Sequence, residues 1–347
     1  MDRETGHRDK ADQKPVNLAL QGGGSHGAFA WGVLDRLLED SRIAIEGIVG
    51  TSAGAMNAAV TAYGLTQGGN EGARAALQRF WRTVAETGTY SRMQPSWIDR
   101  MVSPGSMDYS PAWLMMDFLS RMLSPYQINP VNYHPLREIL CKQIDFEKLR
   151  RAGDVKLFVC ASNVTTNRLR VFERQDICAD AVLASACLPT MFQAIEIDGA
   201  HYWDGGYMGN PPIFPLIYNC ESPDVILVMI NPIHIDEVPR TAQAIIDRIN
   251  TLSFNSSLMR EMRAIAFVSR LVDKGFDDGS RLKKMFVHCI DAESEMRRLG
   301  VSSKVNVEWD FLIWLFELGR RRGDAFLREH FDKLGKQSSV DIEQRFL

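Results

Sequence analysis

Residues 43–63 read IAIEGIVGTSAGAMNAAVTAY. The apolar run Ile45 to Val49 leads into Gly50-Thr51-Ser52-Ala53-Gly54, and a segment of small helix formers without proline follows. This order predicts a strand, a tight turn and a helix, with a serine at the turn. G-x-S-x-G in that setting is the pattern of a nucleophile elbow. A Cβ at position 50 or 54 would strike the adjoining strand or helix, and glycine tolerates backbone angles that other residues avoid. Such a turn pushes the Ser52 hydroxyl outward, near a helix N-terminus whose N–H groups and dipole favour developing negative charge. Short G-x-S-x-G matches also arise by chance, so the serine needs partners elsewhere in the chain.

Upstream, Val16 to Leu20 is a short apolar run ending in Gln21-Gly22-Gly23-Gly24-Ser25-His26-Gly27. Phe29, Val33, Leu34, Leu37 and Leu38 then recur at helical spacing. Strand, glycine loop, helix and elbow strand make a βαβα opening, which predicts a parallel sheet flanked by helices. The loop matches G-x-G-x-x-G at Gly22, Gly24 and Gly27. A dinucleotide site would want an acid at the end of the second strand, where Gly50-Thr51-Ser52 stands instead. A P-loop would want G-K-[ST], which Ser25-His26-Gly27 does not supply. The third reading is an oxyanion hole: consecutive glycines let the backbone approach a substrate and aim several N–H groups at one oxygen.

The chain has 347 residues, 45% hydrophobic and 24% charged, with net charge −3. This is a globular composition, and it lacks the basic excess of a nucleic-acid binder. Cysteines 141, 160, 178, 187, 220 and 289 show no C-x-x-C pair and no metal spacing with histidine, which reads as free buried thiols in a reducing compartment. Residues 1–14 are nearly all polar, a disordered leader without a secretory h-region, and no run of 18 apolar residues occurs. The expectation is a cytoplasmic protein, with peripheral contact to membranes or lipid surfaces left open.

Further helices are expected over 71–87, 136–149, 179–186, 240–274 and 309–334, and strands over 155–162, 169–173, 225–230 and 282–289. Residues 88–135 are rich in Met, Trp and Tyr and broken by prolines, which suits either a lid or acyl-pocket wall, or the packing of an irregular insertion. The helix from Trp309 carries aromatics beside Arg320, Arg321 and Arg322; packing into the core is favoured over an interfacial role.

A serine hydroxyl needs a base within hydrogen-bond reach. In an α/β-hydrolase triad the histidine comes late, and His234, His288 and His330 are the candidates. The other candidate is Asp204, in Tyr202-Trp203-Asp204-Gly205-Gly206-Tyr207, where desolvation among aromatics would raise its basicity.

Four motifs then stand in order: G-G-G-x-x-G at Gly22 to Gly27, G-x-S-x-G at Gly50 to Gly54, A-S-x-x-x-P at Ala184 to Pro189, and D-G-G at Asp204 to Gly206. Together they resemble the patatin-like phospholipases over roughly residues 16 to 230. The resemblance implies an α/β fold of three α/β/α layers with a mostly parallel sheet. With the polar leader 1–14 it suggests a hydrolase core 15–232, leaving a mainly helical C-terminal extension 233–347, expected to pack on the core, outside the pattern. It implies a lipid acyl hydrolase, of phospholipase A, lysophospholipase or carboxylesterase type, with Ser52 as nucleophile and Asp204 as base. The N–H groups of Gly22, Gly23 and Gly24 would form the oxyanion hole, with Gly27, Gly50, Gly54, Gly205 and Gly206 as motif support. No cofactor and no metal are called for; the partner is a lipid or acyl ester, not a nucleic acid, and self-association is left open. A triad esterase and a non-catalytic lipid-binding protein on the same fold are the alternatives. One departure is His26, where many members carry Arg; a histidine there would give weaker or pH-dependent electrostatic help.

Overall fold

The computed structural model describes residues 13–89, 94–102, 104–276, 279 and 282–347. Residues 1–12, most of the expected leader, lie outside the described residues, and Lys14 already belongs to the first strand. The chain opens β1 (Lys14–Leu20), α1 (Gly27–Glu39), β2 (Ile43–Gly50), α2 (Ala53–Thr89). Short helices follow: α3 (Trp97–Val102), α4 (Pro111–Met122), α5 (Pro125–Ile128), α6 (Pro135–Gln143) and α7 (Phe146–Arg151). Next come β3 (Lys156–Asn163), β4 (Arg168–Glu173), α8 (Ala179–Ser185), β5 (Ile195–Ile197) and β6 (Ala200–Asp204). The chain ends with α9 (Phe214–Asn219), β7 (Asp224–Val228), α10 (Ala242–Asp273), β8 (Phe286–Ile290), α11 (Glu293–Met296), α12 (Trp309–His330) and α13 (Ile342–Phe346).

The strands form one sheet in the order β5-β6-β3-β2-β1-β7-β8, with β4 also on β3. β3, β2, β1, β7 and β8 are parallel, and β4, β5 and β6 run antiparallel at one end. Side chains of the central strands alternate between two cores, as the pleat requires. Leu18, Leu20, Ile226 and Val228 pack with α1, α2 and α12; Ala19, Val225, Leu227 and Met229 pack with α10. Helices therefore cover both faces, giving three layers.

Several sequence expectations shift, and the helix expected over 136–149 is two, α6 and α7, parted at Ile144 and Asp145. The helix over 71–87 is continuous with the elbow helix in α2, bent where Gly68 and Gly69 leave helical angles. The strand expected from 282 begins only at Phe286; Lys283 before it sends its ammonium to the carbonyls of Cys220 and Ser222. Of the cysteines, all free, Cys160, Cys187 and Cys220 are buried, Cys178 and Cys289 half-buried and Cys141 exposed.

α12 packs into the core. Gly32 of α1 and Gly319 of α12 let the two backbones touch: a Cβ on Gly319 would stand 2.1 Å from the Phe29 carbonyl. Phe311, Leu312, Leu315, Leu318 and Phe326 are buried in the contact. Asp35 of α1 is ion-paired with Arg74 and with Arg320. In α4, within the 88–135 stretch, the picture is the reverse. Helix α4 buries no residue and exposes Leu114, Met115, Phe118 and Met122. A cavity of about 1100 Å³ lies between residues 94–106 and 295–314, lined by Pro95, Trp309, Phe311 and Trp314. Among the described residues no helix is long and apolar enough to cross a membrane.

Candidate active site

The carboxyl ends of β1 and β2 lie side by side, and the site grows from both. Gly50 closes β2, and a Cβ there would come within 2.3 Å of the Gly54 carbonyl; one on Gly54 would reach 2.2 Å from the Leu20 carbonyl. Strand, turn and helix are thus in backbone contact, which only glycine permits. Ser52 sits at the apex with φ +57°, a left-handed conformation that costs a non-glycine residue energy and persists only when neighbours hold it. Its neighbours do so. The Ser52 N–H donates to Ser185 Oγ at 2.9 Å, and Thr51 Oγ1 donates to the Gly209 carbonyl at 2.7 Å. The glycine loop lies directly alongside: a Cβ on Gly22 would stand 2.6 Å from Ser52 Cβ.

Asp204 arrives from 152 positions later by a topological route. One edge of β3 is occupied by β4 from Phe158 to Asn163. The other edge pairs with β2 at residues 156–159 and then, beyond the end of β2, with β6 at 161–163. Val159 faces Gly50 and Ala161 faces Asp204, so the last residue of β6 lies just past the end of β2, level with the elbow. The Asp204 N–H donates to the Cys187 carbonyl at 2.8 Å, and its carbonyl accepts from Ser162 Oγ at 2.8 Å. The A-S-x-x-x-P block therefore braces both residues, Ser52 through Ser185 and Asp204 through Cys187.

The carboxyl group is fully buried. Oδ1 accepts the Gly206 N–H at 2.7 Å, while Oδ2 is buried with no hydrogen-bond partner. Burial pushes the pKa up to about 7, against the pull of the Gly206 N–H and then of the Ser52 hydroxyl. The hydroxyl stands close enough to favour the charged carboxylate without closing a well-formed hydrogen bond, as is common in unliganded hydrolases. Burial, helped by Asp204, also pushes Tyr207 and Cys187 up to about 12, so Asp204 is the group of this cluster that titrates near neutrality.

The glycine loop needs one correction. The Gly22 N–H donates to Asn210 Oδ1 at 2.7 Å, so it is committed to holding the loop and does not face the serine as a free donor. Among the described residues, the N–H groups of Gly23, Gly24 and Ala53 have no hydrogen-bond partner. Ala53, the first residue of α2, was not a sequence candidate, although the residue after an elbow nucleophile is a usual donor. Gln21 and Asn231 complete the loop's support. Gln21 Oε1 accepts from the backbone of Ile230 and Asn231, and Asn231 Nδ2 donates to the Gly22 carbonyl at 2.7 Å.

No described histidine hydrogen-bonds to Ser52 or Asp204. His234 is exposed and lies 3.7 Å from Glu293. His288 is buried against Asp224 at 2.9 Å, at the amino end of β7 and away from the elbow. His330 borders Phe326 at the end of α12. His26 is buried, shares a 2.7 Å hydrogen bond between Nε2 and Ser303 Oγ, and has its pKa lowered to about 3 by burial and by Lys304. The expected pH-dependent charge at this position is therefore absent, because the ring stays neutral near pH 7.

The sequence model of the patatin-like phospholipase family matches residues 18–217. No curated protein sequence matches the chain. Among solved structures, VipD from Legionella pneumophila aligns with a TM-score of 0.37 at 15% identity, covering 89% of this chain and 69% of that one. The type III effector ExoU aligns with a TM-score of 0.28 at 14% identity, covering 89% of this chain and 54% of that one. The assignment rests on the family match and its four motifs rather than on these distant likenesses: the chain belongs to the patatin-like phospholipase family.

Proposed function

We propose that this protein hydrolyses acyl esters of lipids through a Ser52–Asp204 dyad and an acyl-enzyme. The observation that carries the reading is the buried carboxylate with one oxygen unpartnered beside the Ser52 hydroxyl and a pKa near 7. Oδ2 takes the serine proton as Oγ attacks the ester carbonyl. The tetrahedral oxyanion is received by the N–H groups of Gly23, Gly24 and Ala53, such a donor being worth roughly 2.7–4 kcal/mol in comparable sites. The protonated carboxyl then gives its proton to the leaving alcohol. In the second half Asp204 deprotonates water, which attacks the acyl-serine, and the proton returns to Ser52 Oγ as the acid leaves.

Near neutral pH a carboxylate of this basicity is well matched to both transfers, because it is partly ionised and its conjugate acid is a competent donor. The exposed apolar side chains of α4 and the cavity bordered by Trp309, Phe311 and Trp314 supply apolar surface suited to acyl chains and to lipid aggregates. The test is hydrolysis of 4-nitrophenyl esters of increasing chain length and of lipid extracts, with Ser52→Ala as control. A fluorophosphonate should label the protein at Ser52. Failure to label together with unchanged turnover in Ser52→Ala would sink the proposal.

A further inference from the structure

The glycine loop is strapped from outside the family match by residues 301–305, a 3₁₀ turn in the C-terminal part of the chain. A Cβ on Gly24, at φ +59°, would stand 2.2 Å from the Lys304 carbonyl, so loop and turn are in backbone contact. Ser303 Oγ meets the His26 ring. The Lys304 ammonium donates to Asn231 Oδ1 at 2.9 Å, and Asn231 Nδ2 donates to the Gly22 carbonyl at 2.7 Å. That carbonyl belongs to the same peptide unit as the Gly23 N–H, one of the unpartnered donors.

We propose that Lys304, acting through Asn231, is a positioning residue that polarises the Gly22–Gly23 peptide and so strengthens the Gly23 N–H as an oxyanion donor. The proposal rests on the acyl-transfer reading above. The physical argument is cooperativity. A hydrogen bond accepted by a peptide carbonyl withdraws electron density from its N–H, and a chain that begins at a cation carries that effect further than a neutral one. The direction is right at each link: ammonium to amide oxygen, amide nitrogen to peptide oxygen, peptide nitrogen to the developing oxyanion. The neutral His26 ring offers no competing charge on the loop.

Lys304 also borders a cavity of about 470 Å³, whose other walls include Asp247 and Arg248 of α10. Desolvation lowers its basicity and Asp247 opposes this. The same turn holds the loop sterically, so the test must separate charge from packing.

The experiment measures kcat and KM of the full chain for 4-nitrophenyl butyrate, with Tm as a check of folding. Lys304→Gln keeps a donor toward Asn231 and removes the charge. It should lower kcat about tenfold and leave KM within about twofold, while Lys304→Arg keeps most of kcat. Asn231→Asp cannot donate to the Gly22 carbonyl, and should lower kcat by a similar factor with Lys304 intact. The double variant Lys304→Gln/Asn231→Asp should be no slower than the slower single variant, since both break one chain. Wild-type kcat in Lys304→Gln, a loss confined to KM, or additive losses in the double variant would each overturn the proposal. Ser52→Ala separates the two levels. If it abolishes turnover while Lys304→Gln is unimpaired, only this inference fails. If Ser52→Ala is fully active, the acyl-transfer reading fails and takes this one with it.

Discussion

Two fully buried aspartates, Asp204 and Asp224, sit at opposite ends of the same sheet and are provided for in opposite ways. Asp224, at the amino end of β7, meets the His288 ring at 2.9 Å, and both its oxygens accept the Gly335 N–H, at 3.0 and 2.9 Å. Asp204, at the end of β6, has one oxygen on the Gly206 N–H and the other with no partner. By hydrogen-bonded geometry alone, a search for a catalytic His–Asp pair would choose the first. Its hydrogen bonds make it a brace instead, tying β7, β8 and the turn at Gly335 together. The second carboxylate is left short of donors beside a strained serine, and burial, which its few donors only partly offset, lifts its pKa. Burial is common to both; the two differ in how many donors reach their oxygens.

The contrast is most sharply tested by turnover. Ser52→Ala and Asp204→Asn should each lower kcat by roughly 10⁴-fold or more while the protein stays folded. Asp224→Asn should leave the kcat of the folded protein within about twofold. Loss of turnover in a well-folded Asp224→Asn variant would break the comparison.

Stability should respond the other way round. The rise of the Asp204 pKa from 3.8 to about 7 means that the folded state holds a proton the unfolded chain has released. The stability associated with that proton is fully present below pH 3.8 and is lost as pH rises through about 7. Asp204→Asn should therefore stabilise the fold by up to about 4 kcal/mol at pH 8 and by nothing at pH 3.5, read from denaturant midpoints. Asp224→Asn, which disrupts a buried hydrogen-bonded pair, should instead cost about 3 kcal/mol. A destabilised Asp204→Asn at pH 8 would show that its carboxylate is better solvated than the structure indicates.

Smaller again is the pH profile. With ionised Asp204 as the proposed base, kcat/KM should fall about tenfold per pH unit below an apparent pKa near 7. A limb near pH 4 would mean an ordinary carboxylate. The smallest effect belongs to the exposed insertion: Phe118→Ser in α4 should change stability by no more than about 0.5 kcal/mol, whereas a buried aromatic such as Phe29 would cost several times that.

The elbow was legible because its chemistry is local. Gly50, Ser52 and Gly54 occupy one turn, and the clash that demands glycine can be foreseen from chain geometry alone. Asp204 was legible only as a motif, since nothing near it in sequence says that β6 follows β2 along one edge of β3. The assignment of donors was not legible. Gly22, Gly23 and Gly24 look alike in sequence, yet Asn210, nearly 190 positions away, claims the first and leaves the others free. His26 looks titratable in sequence and is held neutral by burial and by Lys304.

By itself the sequence determined the strand–loop–helix–strand–helix opening, its parallel pairing, the strained serine and the identity of its family. These depend on periodicity, on glycine and on short-range sterics, all of which are written within a few residues. Only the tertiary structure decided which carboxylate lacks donors, which amides remain free, and that a lysine more than 250 positions beyond the serine reaches the loop beside it. Those outcomes depend on how many hydrogen-bonding groups converge on one buried point, and that number is fixed only when distant segments pack.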